Sequence, residues 1–374
     1  MGLKGPWRRF VWVARRDADG YRHSNAKKGS EMLAGLVVRA LALAAVLWAA
    51  PVFWATPVFG QGKAEAPRLV RLAFTSGWDA LPAVVAIERG FFVQEGLVVS
   101  GLAVANAATL INSMAAGSTD FALVPQRTLL VMAAGQLPVN VVSMSGWGTE
   151  MELVVPTAAK DAKLTALKGK RIAVLAGSGA LSVLVRLLNR DKLRPTDVKI
   201  VQLAAADLTA AFEKKLADAI FETRHFTSVM VQNKQARVIL PAKDVASQVG
   251  VIDGMPLIVR ASAIKSEPET VQKFVNAWVK ALLYIQQDPN DAAALMQIYF
   301  HRNGVVIPPD MTKSWVSFTK YNQYAWSKAA VIDAEYNGWA LKVGNILKVE
   351  PKLDGYVDNS FVDRATKTLG VTTN

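Results

Sequence analysis

The chain has 374 residues, with 43 lysines and arginines against 30 acidic residues, a formal net charge of +13. Ten of the basic and three of the acidic residues fall in the first 64 positions, leaving 33 against 27, a net of +6 with the signs interspersed; with no basic tract interleaved with aromatics, nucleic-acid binding has no support. The absence of cysteine excludes disulfides, thiolate metal sites and a lipid-modified cysteine anchor.

Residues 40–59 carry no charge and follow Arg8, Arg9, Arg15, Arg16, Arg22, Lys27, Lys28 and Arg39. A basic leader, an apolar run and then small residues (Val58, Gly60, Gly62, Ala64) is the layout of an export signal. Pro51 and Pro57 make the second half of the run a poor helix, so cleavage is the expectation. The run is also about as long as a membrane span, so retention as an anchor is the alternative. Met32 opens a signal of more ordinary length than Met1 does, so either can be the true start.

The remaining residues exceed one ordinary hydrophobic core, and two lobes are expected. Strand 69–75 is closed by Ser76-Gly77-Trp78-Asp79, and Pro82 opens an apolar helix over 83–89. Strand 97–100, helix 107–116, strand 121–124, helix 128–134 and strands 139–143 and 152–155 follow. The alternation then restarts with strand 171–175, Gly177-Ser178-Gly179 and helix 180–191. Strand 198–202, helix 208–216, strand 219–222, helix 225–232 and strand 237–240 complete this second set. Residues 256–260 are apolar again, a return strand to the first lobe, and the chain past Lys265 reads as helices over 268–287, 289–299, 310–324 and 333–343. This alternation argues for an α/β protein with largely parallel sheets and helices on both faces. The boundaries drawn are a leader over 1–64, the first part of lobe 1 over 65–155, lobe 2 over 156–255, and a return to lobe 1 with a helical C-terminal tail over 256–374.

In such sheets a ligand meets the loops that leave the strand ends. Ser76, Gly77, Trp78 and Asp79 leave the first strand; Ser76 and Asp79 can equally cap the next helix, and Trp78 can be a surface ring. Ser178, Gly179 and Ala180 form the matching element of the second lobe, where glycines admit close backbone approach and free amides suit an anion. A plain tight turn is the alternative, since neither a dinucleotide fingerprint nor a P-loop spacing is present. Thr109 can cap its helix or reach the cleft, and Gln126 offers both donor and acceptor. Trp147, Thr149 and Glu150 precede the crossing strand, with Glu150 alternatively a solvated group. Glu222 follows a second-lobe strand and can meet a cationic ligand group or pair with Arg224. His225 joins only His23 and His301, so no metal-ligand spacing exists and no metal or cofactor is expected. Ser178 and His225 lack any nucleophile-elbow context, which favours binding over catalysis.

Several stretches carry a family resemblance. PAVVAIERGFFVQEGL over 82–97 is similar to a helix followed by G-x-F-x-x-x-G-L, and TLINSMAAGSTD over 109–120 resembles A-L-x-x-G-x-x-D. LKGKRIAV over 167–174 resembles L-K-G-K-x-I-A-V, followed by Gly177-Ser178-Gly179, LRPTDV over 193–198 and LADA over 216–219. In this order they resemble the periplasmic substrate-binding proteins of ABC importers in the nitrate/sulfonate/taurine group, including aliphatic-sulfonate and thiamine-precursor binders. The resemblance implies a type II two-lobed clamshell that holds a small organic anion or zwitterion, sulfonate-, taurine-, nitrate- or pyrimidine-like. The ligand would lie between residues 76–79 and Gln126 on one side and 178–180 and Glu222 on the other. It further implies a monomer in the periplasm, delivering to a permease with a cytoplasmic ATPase and catalysing nothing. A ligand-sensing periplasmic domain is the alternative, and a periplasmic enzyme on the same fold a more distant one. Two departures stand out: Phe221-Glu222-Thr223 replaces Trp-Glu-Pro, and 214–218 reads KKLAD where G-x-x-D is frequent. No arginine precedes Arg127 and Arg224 in the candidate loops, so anion selectivity does not carry over.

Overall fold

Runs of β-branched and apolar residues build ten strands in the computed structural model, which describes residues 67–75, 78–104, 106–147, 150–160, 163–249 and 254–371. The side chains of Trp78 and His225 also lie outside that description, as do the leader, its apolar run and both candidate cleavage zones. The strands are β1 (Arg68–Thr75), β2 (Leu97–Val104), β3 (Phe121–Leu123), β4 (Val139–Trp147), β5 (Met151–Pro156), β6 (Arg171–Leu175), β7 (Lys199–Leu203), β8 (Ala219–Thr223), β9 (Ala236–Leu240) and β10 (Gly254–Arg260). They form two open five-stranded sheets, ordered β2-β1-β3-β10-β4 and β7-β6-β8-β5-β9. This is the two-lobed α/β clamshell architecture, with a helical C-terminal segment.

Both sheets are mixed rather than largely parallel. β1 pairs parallel with β2 and β3, whereas β10 runs antiparallel to β3 and β4. In the second sheet β6 pairs parallel with β7 and β8, and β5 runs antiparallel to β8 and β9. The chain crosses from one sheet to the other between β4 and β5 and returns into β10. A strand that enters a sheet from the other lobe arrives from the opposite end, and this reverses its direction.

Among the described residues, helices unforeseen from the sequence are Phe91–Gln94, Ala242–Val249, Ala261–Ser266 and Ser360–Thr368. The helix expected over 208–216 is one short segment, Ala205–Thr209, followed by turns. The expected 310–324 helix is Pro309–Phe318; it ends where Thr319 turns extended and Lys320 pairs with Trp147 in an isolated antiparallel bridge. No described helix is long and apolar enough to cross a membrane.

Apolar burial fixes how the tail sits. Helix Pro268–Gln287 buries Phe274 and Trp278 against the first sheet; Phe274 stacks on Phe121 at 3.8 Å between centroids, and the Trp278 indole N–H donates to the Met144 carbonyl at 2.8 Å. Helix Lys328–Val343 packs against both Gln126–Ala134 of the first lobe and Ala180–Arg190 of the second. One core accordingly holds Leu129 and Leu130, Leu181 and Leu184, and Ala334 and Leu341 together.

Candidate functional site

The loops after β6 and after β3 approach each other. Gly177 has a φ of 92°, a left-handed conformation that favours glycine, and it lets the chain turn sharply into helix Ala180–Arg190. The Ser178 hydroxyl donates to the Glu222 carboxylate at 2.8 Å and lies 3.2 Å from the Ala180 amide, which donates to it. From the first lobe, a guanidinium N–H of Arg127 donates to the Ser178 carbonyl at 3.2 Å. Burial pulls the Arg127 pKa below its ordinary value, and among the described residues Arg127 joins no salt bridge.

Glu222 is only 1% exposed and is held from within its own lobe. Besides Ser178, the backbone N–H groups of Leu175 and Thr223 donate to it at 3.0 and 2.9 Å. Burial raises its pKa, and these three donors oppose that rise. Its geometry makes it the group that orients the Ser178 turn.

Gln126 starts helix Gln126–Ala134 and is buried. Its side-chain oxygen accepts from the Asn337 amide, while its own side-chain nitrogen is buried with no partner among the described residues. Asn337 in turn accepts from Arg186 at 3.0 Å, and Arg186 pairs with Asp333 at 2.7 Å and lies 4.7 Å from the Tyr336 ring centroid. The tail helix is thus tied to both lobes beside the cleft loops. Sequence reading passed over this network, though a charge flanked by Val185 and Leu187 in an apolar helix was the signal for it.

A second cluster lies at the strand crossing. Asp79 is buried and accepts from the Thr75 hydroxyl at 2.7 Å; burial pushes its carboxyl up to about 6. Glu150 is 4% exposed rather than solvated, and neither carboxylate oxygen has a hydrogen-bond partner among the described residues. Burial pushes it up to about 7 against the opposing pull of Arg224. The indole N–H of buried Trp147 also has no partner among the described residues. Tyr321 is buried there, its phenol pKa raised first by burial and then by the nearby charges of Glu150 and Asp79. The Arg224 guanidinium lies over the Phe318 ring at 4.0 Å, and its backbone N–H donates to the Glu150 carbonyl at 2.9 Å.

The other expected positions fall as follows. Ser76 and Gly77 lie outside the described residues, as does Thr149; Trp78 opens a short 3-10 turn and His225 is the second residue of helix Arg224–Gln232, with nothing described of either side chain. Thr109 is exposed, and its N–H and hydroxyl both donate to Asn106, the residue that caps helix Ala107–Ala115. Gln126, Ser178, Gly179 and Glu222 therefore belong to one described region with Arg127. Asp79 and Trp147 belong to the crossing cluster, together with Glu150. Among the described residues, no group of three or more histidines and carboxylates could hold a metal ion.

The family described as NMT1/THI5 like matches residues 78–292. A Brucella abortus protein named only as a binding protein is 24% identical over 142 residues, which is 38% of this chain and 43% of the relative. A Bacillus subtilis protein named for binding aliphatic sulfonates is 25% identical over 221 residues, 57% of this chain and 65% of the relative. The chain thus spans under half the length of the first relative and just under two thirds of the second. Among solved structures, the alkanesulfonate-binding protein of Xanthomonas axonopodis pv. citri bound to MOPS superposes with a TM-score of 0.63 at 18% identity, covering 78% of this chain and 98% of that one. These matches agree with the resemblance to the nitrate/sulfonate/taurine group carried by the sequence motifs.

Proposed function

The chain belongs to the NMT1/THI5-like family, and from that premise we propose that it is the extracytoplasmic solute-binding component of an ABC importer. A small organic anion or zwitterion is held between the lobes, the lobes close on it, and the closed form docks on permease subunits served by a cytoplasmic ATPase. The protein acts as a monomer and turns nothing over. The observation that carries the reading is the meeting of two lobes at their strand-end loops, where Arg127 of one reaches the Ser178 carbonyl of the other at 3.2 Å. Such loops are where ligands bind in open α/β sheets. A ligand that bridges both lobes only when they are closed shifts the population to that state by its differential affinity.

On this reading the lobes divide at residues 65–155, 156–255 and 256–374, and the 178–180 turn with Arg127 receives the acidic end of the solute. The amides that follow Gly177 and the half-buried guanidinium are both donors to an anion. Export by the N-terminal signal places the protein in the periplasm, and cleavage leaves it free there. A mature mass that starts near Gln61 or Glu65 is the expected result; retention of 40–59 would mark a tethered protein instead.

Equilibrium titration against sulfonates, nitrate, pyrimidines and aromatic acids tests the function, with mass spectrometry of any ligand released from the purified exported protein. Binding of one class without chemical conversion is expected. No bound small molecule under any of these conditions overturns the reading.

A further inference from the structure

The line of side chains that joins the tail helix to the cleft loops has a direction. Arg186, on helix Ala180–Arg190 of the second lobe, carries only donors, so any polar atom that faces it must accept. Its guanidinium donates to the Asn337 side-chain oxygen at 3.0 Å and to the Val249 carbonyl, and it pairs with Asp333 at 2.7 Å. With its oxygen committed to Arg186, Asn337 turns its N–H2 the other way and donates to the Gln126 side-chain oxygen. Gln126 is left with its own N–H2 beyond, a buried donor with no partner among the described residues. Turning either amide over would set nitrogen against nitrogen, so one arginine fixes the orientation of both.

Helix Lys328–Val343 holds the middle of this line with little slack. A Cβ at Gly338 would lie 2.6 Å from the Pro351 Cγ, and Glu335 accepts from the Leu353 N–H at 2.9 Å. Asn337 is 2% exposed and Arg186 6%, so bulk water offers neither an alternative partner. The line ends one residue before Arg127, whose guanidinium reaches the Ser178 turn. A buried donor without an acceptor destabilises a fold, yet here three further side chains hold it in that state. That is the arrangement expected of a group kept ready for an acceptor atom of a bound molecule. We propose that Asn337 and Arg186 are positioning residues for solute capture: from the tail helix and the second lobe, without touching the solute, they lock the Gln126 amide so that it presents its N–H2 rather than its oxygen. Asp333 holds Arg186 in place for that task. The proposal rests on the solute-binding reading above and assigns what orients one group of the cleft.

The test is a double-mutant cycle read by calorimetric titration of the mature exported protein with ethanesulfonate, taurine, nitrate, benzoate and uracil, the tightest of these serving as the probe for the variants. Asn337→Asp keeps the shape and an acceptor for Arg186 but offers Gln126 only acceptors, which turns the Gln126 amide over. It is expected to weaken probe binding about tenfold or more, the scale of a lost buried hydrogen bond with acceptor left facing acceptor. In a Gln126→Met background the same substitution is expected to weaken binding less than about threefold, since no amide remains to be turned. An equal loss in both backgrounds, which a merely structural role or a change of field would give, overturns the inference and leaves solute binding intact. Wild-type affinity in Asn337→Asp overturns it equally. The ligand-free protein gives a second reading: the Gln126 side-chain N–H2 resonances, identified by their loss in Gln126→Met, move downfield in Asn337→Asp as they gain an acceptor. Unmoved resonances overturn the inference. Asn337→Ala, which frees the Gln126 amide to turn either way, carries the same cycle with a smaller loss if Asn337→Asp does not fold. If no probe binds and no small molecule is released from the purified protein, the solute-binding reading falls and this inference with it.

Discussion

Glu150 and Asp79 give the ligand-free protein a pH response that can be signed. In the fold the Glu150 carboxyl is pushed from 4.5 to about 7 and that of Asp79 from 3.8 to about 6, in each case by burial. A raised carboxyl pKa means the folded state holds its proton more tightly, so stability falls as pH rises from the unfolded value to the folded one. For Glu150 the window is about pH 4.5 to 7, and the loss is on the order of 3 kcal/mol. Glu150→Gln has no such charge to bury and is expected to melt later than wild type at pH 8, with the gap closing towards pH 4.5. Denaturant melts across that range check this; equal stability of the two proteins at pH 8 would show that Glu150 finds a partner in solution. Arg224 favours the ionised form of Glu150 against burial, and Glu150 in turn helps raise the Tyr321 phenol.

The two lobes repeat one device that the sequence disguises. In the first, Arg71 within β1 pairs with Asp120, which also accepts from the Arg71 N–H at 2.9 Å, and a further guanidinium N–H donates to the Gly117 carbonyl at 2.9 Å. In the second, Arg171 pairs with Asp218 in the same way, Asp218 accepts from its N–H at 2.8 Å, and Lys215 supplies the carbonyl at 2.6 Å. Gly117 has a φ of 68° and Lys215 a φ of 53°, so Lys215 stands in a left-handed position that glycine fills in the first lobe. A non-glycine residue there costs about 1 kcal/mol. Lys215→Gly is therefore expected to stabilise the protein by up to about 1 kcal/mol in a chemical melt, with ligand affinity unchanged. A loss of stability would mean that Lys215 is held by contacts worth more than the strain.

Helix Ala180–Arg190 carries the heavier test at this scale. Arg186 sits 7% exposed and bridges to Asp333 and Asn337 of the tail helix. Breaking one side of a buried pair leaves the other charge uncompensated, at a cost of about 3–5 kcal/mol. Arg186→Leu should lose stability on that scale, and Arg186→Leu with Asp333→Leu should recover much of it. If the double variant is no better than the single one, the network matters through geometry rather than through charge.

At the scale of the whole molecule the prediction is closure. Because Arg127 of the first lobe reaches the second lobe's Ser178 turn, the separation of the lobes is read directly by that contact. Saturating ligand is expected to lower the radius of gyration in small-angle scattering and to raise the melting free energy by about 2.7 kcal/mol at a hundredfold excess over Kd. Arg127→Ala should weaken ligand binding and leave a larger share of the protein expanded at a fixed subsaturating concentration. A scattering profile that ligand does not change would rule out hinge closure as the response to binding.

Strand order and most of the longer helices were legible from the sequence because they depend on local periodicity, on proline and glycine stops, and on strand-length apolar runs, whereas helices such as Ala242–Val249 and Ser360–Thr368 were not. The 171–175 strand, the 180–191 helix and the family motifs needed no partner in space to be recognised. Sheet direction was not legible, since whether β5 and β10 run with or against their neighbours depends on which lobe the chain enters from. The roles of Glu222 and Glu150 were not legible either. Both are single glutamates near strand ends, and only the fold gives Glu222 three donors and Glu150 none. The Arg186–Asp333–Asn337–Gln126 network joins residues up to 211 positions apart, so nothing local could announce it. The sequence determined the elements and the family because local chemistry is written residue by residue. Tertiary structure decided which charges are paired and which stand open, because burial is a property of neighbours that the chain supplies only once it has folded.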